Sequence, residues 1–357
     1  MDLTTDEGIK LYLTTTPDLY PTCHKIDRLP EGFGGFVYRV HLGESSTSTP
    51  SSVIVKHVQP YAARAQSWKL DQTRLEFEYK ALQLLAQAQF QAGGGGIRPP
   101  QCLHYDRDNW VLILEDAGDL PTLKSWLQPG DITTEDAQTV GMNLGQYLAT
   151  VHETSTTQPA LLSDFSGNET AKTLSSQLYF GMLPSAAAKN GFEGRHIQKA
   201  AEQGKAGVLE GSECLTLGDF WTGNVLVSNF KELFVLDFEL TKPGTPDFDI
   251  GQMAAEMYCL ACFRDAELGN ALLKAFLKGY GEVRERGVSV GLAAKVAIRI
   301  GAHLMVMMPT AWSVRNQEAS EEQVKEQLKV ADGLLKMGAG RDEKGLRNSI
   351  VAPLLRN

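Results

Sequence analysis

LTLGDFWTGNVLVSNFKELFVLDFEL, residues 215–240, is the stretch whose reading decides the fold. Residues 215–217, 225–227 and 233–236 are short apolar runs rich in Val and Leu, and polar Ser228, Asn229 and Lys231 lie between the last two. Runs of this length and composition read as buried strands rather than turns of a solvated helix, so the stretch is strand, loop and hairpin. Asp219, Asn224, Asp237 and Glu239 then fall on the loops. An Asp followed five residues later by Asn, and after a hairpin by a second Asp at a strand end, is the set that phosphoryl transfer requires. One carboxylate orients a hydroxyl, while Asn and the second Asp hold the metal that neutralises the phosphates.

Working upstream, residues 52–58, SVIVKHV, form a strand with Lys56 near its end. On an edge strand this lysine is solvated, but on a central strand it cannot reach bulk water and needs an anionic partner. The downstream set favours the central reading, in which the lysine meets nucleotide phosphates and a glutamate of the next helix. Residues 71–89 are that helix, with Leu75, Tyr79, Leu82, Leu85 and Ala86 at helical spacing. Of its two candidates, Glu76 and Glu78, Glu78 lies beside the apolar stripe and is the expected partner. Residues 29–42, LPEGFGGFVYRVHL, are a glycine turn entering a strand, where Gly32, Gly34 and Gly35 let backbone amides approach a phosphate. The tetraglycine at 93–96 reads as a loop. Residues 110–114 are a further strand, followed by a hinge whose backbone groups at Glu115 and Ala117 would hold adenine.

Beyond Gly118 the pattern turns helical. Residues 133–152 have Thr133 as N-cap, Asp136 three positions on, and His152 at the end, where a role capping helix carbonyls is expected. Residues 154–194 read as loop with short helices. Helices follow over 250–264, 266–280, 288–308 and 321–337, the last with a Ser320–Gln323 capping box. Asp247 or Asp249 caps the first of these or braces the catalytic loop. Lys295, Arg299 and His303 recur every fourth residue and read as a solvated face. Cys259 and Cys262 read as core cysteines, and Met307, Met308 and Trp312 as core.

A chain of 357 residues with 43% hydrophobic and 22% charged residues accommodates two domains or one two-lobed unit. The net charge of -9 disfavours a nucleic-acid partner. The N-terminus MDLTTDEGIK lacks the apolar core of a secretory signal, no run spans a bilayer, and the five cysteines read as reduced thiols, so a cytoplasmic location is expected and no membrane partner.

With Lys56, Glu78, Asp219, Asn224 and Asp237 in order, and with LGQYLATVH, GDFWTGNVLV and VLDFEL, the chain resembles the aminoglycoside phosphotransferase and choline kinase family of protein-kinase-like small-molecule kinases. The Asp237 and Glu239 pair, with VIVKHVQPY, EFEYKALQLL and LDFELTKPG, is similar to the branch of 5-methylthioribose and fungal 4-hydroxytryptamine kinases. The resemblance implies an α+β, two-lobed fold with a small, mainly antiparallel-sheet lobe over residues 1–117 and a larger helical lobe over 118–357. It implies ATP and Mg2+ as cofactors, and a small-molecule hydroxyl acceptor. Asp219 is the expected catalytic residue. Lys56, Glu78, Gly34, Gly35, Glu115 and Ala117 are expected at the nucleotide, and Asn224, Asp237 and Glu239 at the metal. Two departures stand out: Leu217 occupies the position where most of the family has histidine, and Phe36 follows the glycine turn where many relatives have a polar residue. They support one alternative, a pseudokinase that binds a nucleotide or partner without turnover.

Overall fold

The computed structural model describes residues 1–17, 19–20, 22–29, 32–43, 50–91, 96–127, 132–284, 288–312 and 319–355. The chain divides into two compact units, one of Met1–Ala86 with Pro99–Asp119, the other of Gln87–Arg98 with Leu120–Asn357.

In the first unit, helix α1 (Asp6–Thr15) precedes strands β1 (Cys23–Arg28), β2 (Phe36–Leu42), β3 (Ser52–His57), β4 (Tyr61–Ala62) and β5 (Ala65–Lys69), then helix α2 (Arg74–Leu85). After α3 (Ala88–Gln91) and β6 (Ile97–Arg98), which belong to the second unit, come β7 (Cys102–Asp106) and β8 (Val111–Glu115). Five strands pair antiparallel in the order β1-β2-β3-β8-β7. Strand β3 is therefore interior, with Lys56 opposite Val37 on one side and Leu112 on the other. Thr5 caps helix α1, its Oγ1 accepting from Gly8 N at 3.1 Å. Its Ile9, Tyr12 and Leu13 meet Phe36, Tyr38, Val40 and Leu42, the alternate residues of β2, in the unit's core.

The second unit is mainly helical: α4 (Leu123–Trp126), α5 (Thr134–Thr156), α6 (Pro159–Phe165), α7 (Glu169–Ser175), a π-helical turn (Ser176–Gly181), α8 (Leu183–Lys189) and α9 (Arg195–Glu210) come first. Strands β9 (Cys214–Thr216), β10 (Val225–Asn229), β11 (Glu232–Val235) and β12 (Lys242–Gly244) follow. Helices α10 (Asp247–Phe263), α11 (Ala266–Val283), α12 (Val290–Val306), α13 (Met308–Ala311), α14 (Glu321–Gly340) and α15 (Glu343–Arg347) complete it. Capping boxes form at Thr133 with Asp136 and at Ser320 with Gln323, as the sequence predicts. Helices α5 and α11 cross at backbone contact. A Cβ on Gly141 would stand 2.3 Å from Leu272 O, and one on Gly145 2.1 Å from Phe276 O, so only glycine fits at either crossing point. Two small sheets carry the loops of interest: β9 pairs antiparallel with β12, and the β10–β11 hairpin pairs through β11 with β6. Cys259 lies in the core and Cys262 is half-buried, both as free thiols. Met308 and Trp312 are buried. Gly93 to Gly95 of the expected glycine loop lie outside the described residues. Among those residues no helix is long and apolar enough to cross a membrane.

Candidate active site

In the first unit, the Lys56 ammonium lies 2.7 Å from Glu78 Oε2, with both side chains buried. Burial strips water from both charges, so each requires the other. Glu76, the other candidate, turns to the surface and pairs with Lys80 at 3.0 Å and Arg107 at 3.2 Å. The glycine turn abuts this pair. A Cβ on Gly35 would come within 3.3 Å of Lys56 Cε, and the Gly34 carbonyl accepts from the buried Arg74 Nη2 at 3.0 Å. At the end of β8, Glu115 Oε2 accepts from Gln101 N at 2.9 Å, and Ala117 is half-buried. Arg39 pins the residues that follow: its Nε lies 2.8 Å from Asp116 Oδ2, its Nη2 donates to Gly118 O at 2.9 Å, and its Nη1 reaches Asp119. Sequence reading missed Arg39, an arginine on an alternating strand with no local partner.

In the second unit, β9 ends at Thr216 and the chain reverses through Gly218 at φ +87°. A Cβ there would lie 2.0 Å from Leu240 O, so glycine is required both by conformation and by space. Asp249, on the first turn of α10, braces the loop rather than capping its own helix. Its carboxylate accepts from Leu217 N at 2.7 Å and from Gly218 N at 3.0 Å. His152 meets the same carboxylate through Nε2 at 3.1 Å and Tyr280 Oη through Nδ1 at 2.9 Å. This corrects the expected capping role: at the fully buried His152 the ring ties α5 to α10 and α11. Burial holds its pKa below the usual 6.5, with Asp249 opposing. The neutral ring then donates from Nε2 to the carboxylate and accepts the Tyr280 hydroxyl proton at Nδ1. Leu217 is buried at the position of the family's histidine, and its main chain carries the brace.

The β10–β11 hairpin sets Asn224 and Asp237 at the same end, since Val225 pairs with Val235 and Leu236 N donates to Asn224 O at 2.8 Å. Asp237 has φ +63°, a left-handed conformation that aspartate tolerates better than most residues. Asn224 Nδ2 donates to Asp219 Oδ2 at 3.1 Å and to Asp219 O at 3.0 Å. Gln252 Nε2 donates to Asp219 Oδ1 at 2.7 Å. Burial raises the Asp219 pKa, the Asp237 and Glu239 carboxylates raise it further, and the two amide donors oppose them, which leaves it pushed up to about 7. Glu239 is buried, with its main-chain oxygen taken by Asn168 Nδ2 at 2.9 Å. Nearby, the ammonium of buried Lys242 donates to Ser175 Oγ at 3.1 Å and stands over the Phe248 ring, its pKa pushed down to about 8 by burial.

Sequence reading missed Gln252 and misplaced Arg299 and His303. Arg299 and His303 were expected on a solvated face with Lys295; only Lys295 is exposed, while Arg299 and His303 are buried against α10. Arg299 Nη2 donates to Gln252 Oε1 at 3.1 Å, and one turn on His303 Nε2 lies 2.7 Å from Glu256 Oε1. Trp312 Nε1 donates to the other Glu256 oxygen at 3.3 Å. The overlooked signal was LAAKVAIRIGAHLM, residues 292–305, a helix so nearly apolar all round that its charges have little solvent face.

The chain is similar in sequence and fold to known proteins. The chain is 31% identical to the 4-hydroxytryptamine kinase of Psilocybe cyanescens over 91% of each chain, and 29% identical to that of Psilocybe cubensis over 90% of each. A choline kinase from Cryptosporidium parvum shares the fold, with a TM-score of 0.52 at 12% identity over 98% of this chain and 99% of that one. The sequence profile of the phosphotransferase enzyme family matches residues 26–287, from within β1 to just beyond α11, and the chain belongs to that family.

Proposed function

We propose that this phosphotransferase moves the γ-phosphate of ATP to a hydroxyl of a small metabolite of the hydroxyarylalkylamine, amino alcohol or sugar type. Residues 1–117 serve as the nucleotide lobe, with Lys56, steadied by Glu78, at the phosphates, Gly34 and Gly35 beside them, and the main chain of Glu115 and Ala117 at the adenine. Residues 118–357 carry the catalytic loop and the acceptor site. The observation that carries the reading is the Asp219 carboxylate, clasped by one amide at each oxygen and raised in pKa to about 7. A carboxylate so placed orients an acceptor hydroxyl and accepts its proton as the phosphoryl group transfers.

Asn224, Asp237 and Glu239 would hold Mg2+. Their chemistry fits: Asn224 spends its amide nitrogen on Asp219 and keeps a carbonyl oxygen, which with two carboxylates makes an all-oxygen donor set. The raised Asp219 pKa also reflects carboxylate crowding that a divalent cation relieves. Bound there, the ion supplies charge neutralisation at the phosphates. The similarity to 4-hydroxytryptamine kinases supports testing a hydroxyarylalkylamine first among acceptors. The test is ADP release from ATP and Mg2+ with 4-hydroxytryptamine, methylthioribose and choline in turn. Acceptor-dependent ADP release excludes the pseudokinase alternative. Asp219→Asn should lower turnover by about a thousandfold while ATP binding persists; parental turnover in that variant overturns the assignment.

A further inference from the structure

Arg299, midway along α12, is fully buried without an ion pair among the described residues. Its Nη2 donates to Gln252 Oε1 at 3.1 Å, while Nε and Nη1 have no hydrogen-bond partner among the described residues. The guanidinium lies 3.6 Å from the Tyr179 ring centre and 4.4 Å from that of Phe248. Replacing a buried charge by an apolar group of similar size is often neutral or stabilising, so packing alone does not account for an arginine here.

Gln252 connects it to the loop. Arginine only donates, so the amide atom facing Nη2 is the oxygen, and the nitrogen of the same amide faces Asp219. There Nε2 donates to Oδ1 at 2.7 Å, opposite Asn224 on Oδ2 at 3.1 Å. With no donor behind it, the amide is held only by the carboxylate and can swing away from Oδ1. We propose that Arg299 is a positioning residue that acts through Gln252, locking the amide as a donor so that Asp219 is held at both oxygens and keeps a lone pair on each for the acceptor hydroxyl. The inference rests on reading Asp219 as the residue that receives that hydroxyl.

The experiment measures kcat and the KM for ATP, with 4-hydroxytryptamine or the panel acceptor that turns over fastest, for Gln252→Met, Arg299→Met, the double variant and Arg299→Lys. Each single methionine variant should lower kcat by about tenfold to a hundredfold and leave the ATP KM within about twofold. The double variant should be no slower than Gln252→Met alone, because the two residues act in series. Arg299→Lys, still a donor, should recover part of the loss, and thermal unfolding of Arg299→Met should stay at or above the parent. Parental kcat in Arg299→Met, or a double loss equal to the product of the single losses, overturns the proposal. Should Arg299→Met fail to fold, the same cycle run with Arg299→Lys decides the matter. Asp219→Asn separates the two levels of inference. If that variant turns over normally, the reading of the site falls. If it is inactive while Gln252→Met and Arg299→Met keep parental kcat, only the relay falls.

Discussion

Lys56 and Arg299 are both buried cations, at 7% and 0% exposure, and they are held in opposite ways. Lys56 sits on an interior strand with a carboxylate at 2.7 Å, charge answering charge. Arg299 has an amide oxygen and two aromatic faces instead. In the first arrangement a buried charge is met by an opposite charge. The second leads through the amide to the carboxylate of Asp219. On the proposed reading, Lys56 acts on the nucleotide itself and Arg299 acts through Gln252.

The sharpest test of the first half is Lys56→Met, which should lower kcat/KM for ATP by about a hundredfold in steady-state assays. Glu78→Gln should cost about tenfold, because the lysine keeps its place but loses its charged partner. Equal losses would mean that the two act as an inseparable unit.

Asp249 is the counterpart in the second unit, a buried carboxylate whose partners are two main-chain amides and a histidine. Asp249→Asn keeps its shape but turns one donor toward donors. It should lower unfolding free energy by about 2–4 kcal/mol in urea denaturation. A loss no larger than that of an ordinary surface substitution would remove the brace from the account of the loop.

The histidines supply a pH test with a definite sign. His152 and His303 are buried, and burial holds both below the usual 6.5 in the folded chain. Below 6.5 the unfolded chain takes up protons that the folded chain refuses, so stability rises with pH through that window and levels off above it. As the pH falls below 6.5 each histidine should lower stability, read as a falling thermal midpoint. His152→Gln should flatten the slope, and an unchanged slope would show that His152 is not held neutral.

The smallest effect is expected one turn from Arg299. Lys295 faces solvent and meets Glu213 at 3.3 Å across an exposed pair. Lys295→Ala should change stability by no more than about 0.5 kcal/mol and leave kcat alone. A large effect would erase the distinction between the exposed and buried members of that helix face.

Much of this was legible in the chain itself. Alternation of apolar residues places the strands, Thr133 and Ser320 announce their helices, and a lysine inside a β-branched run demands a carboxylate that helical spacing narrows to Glu78. These are local signals, each decided within a few residues by periodicity or capping chemistry. The two capping boxes needed no more than four consecutive residues each.

The spacing of Asp219, Asn224, Asp237 and Glu239 between short apolar runs was likewise open to reading, and it pointed to phosphoryl chemistry before any coordinates. What only the tertiary structure decided was what holds those residues. Gln252 looks like any polar residue early in a helix, Asp249 like a cap, Arg299 like a solvated face. Their roles come from contacts made across 33, 31 and 47 residues of chain. Such contacts follow from how α10 and α12 pack on each other and on the loop, and no periodicity within one element encodes which side chain of another it will meet.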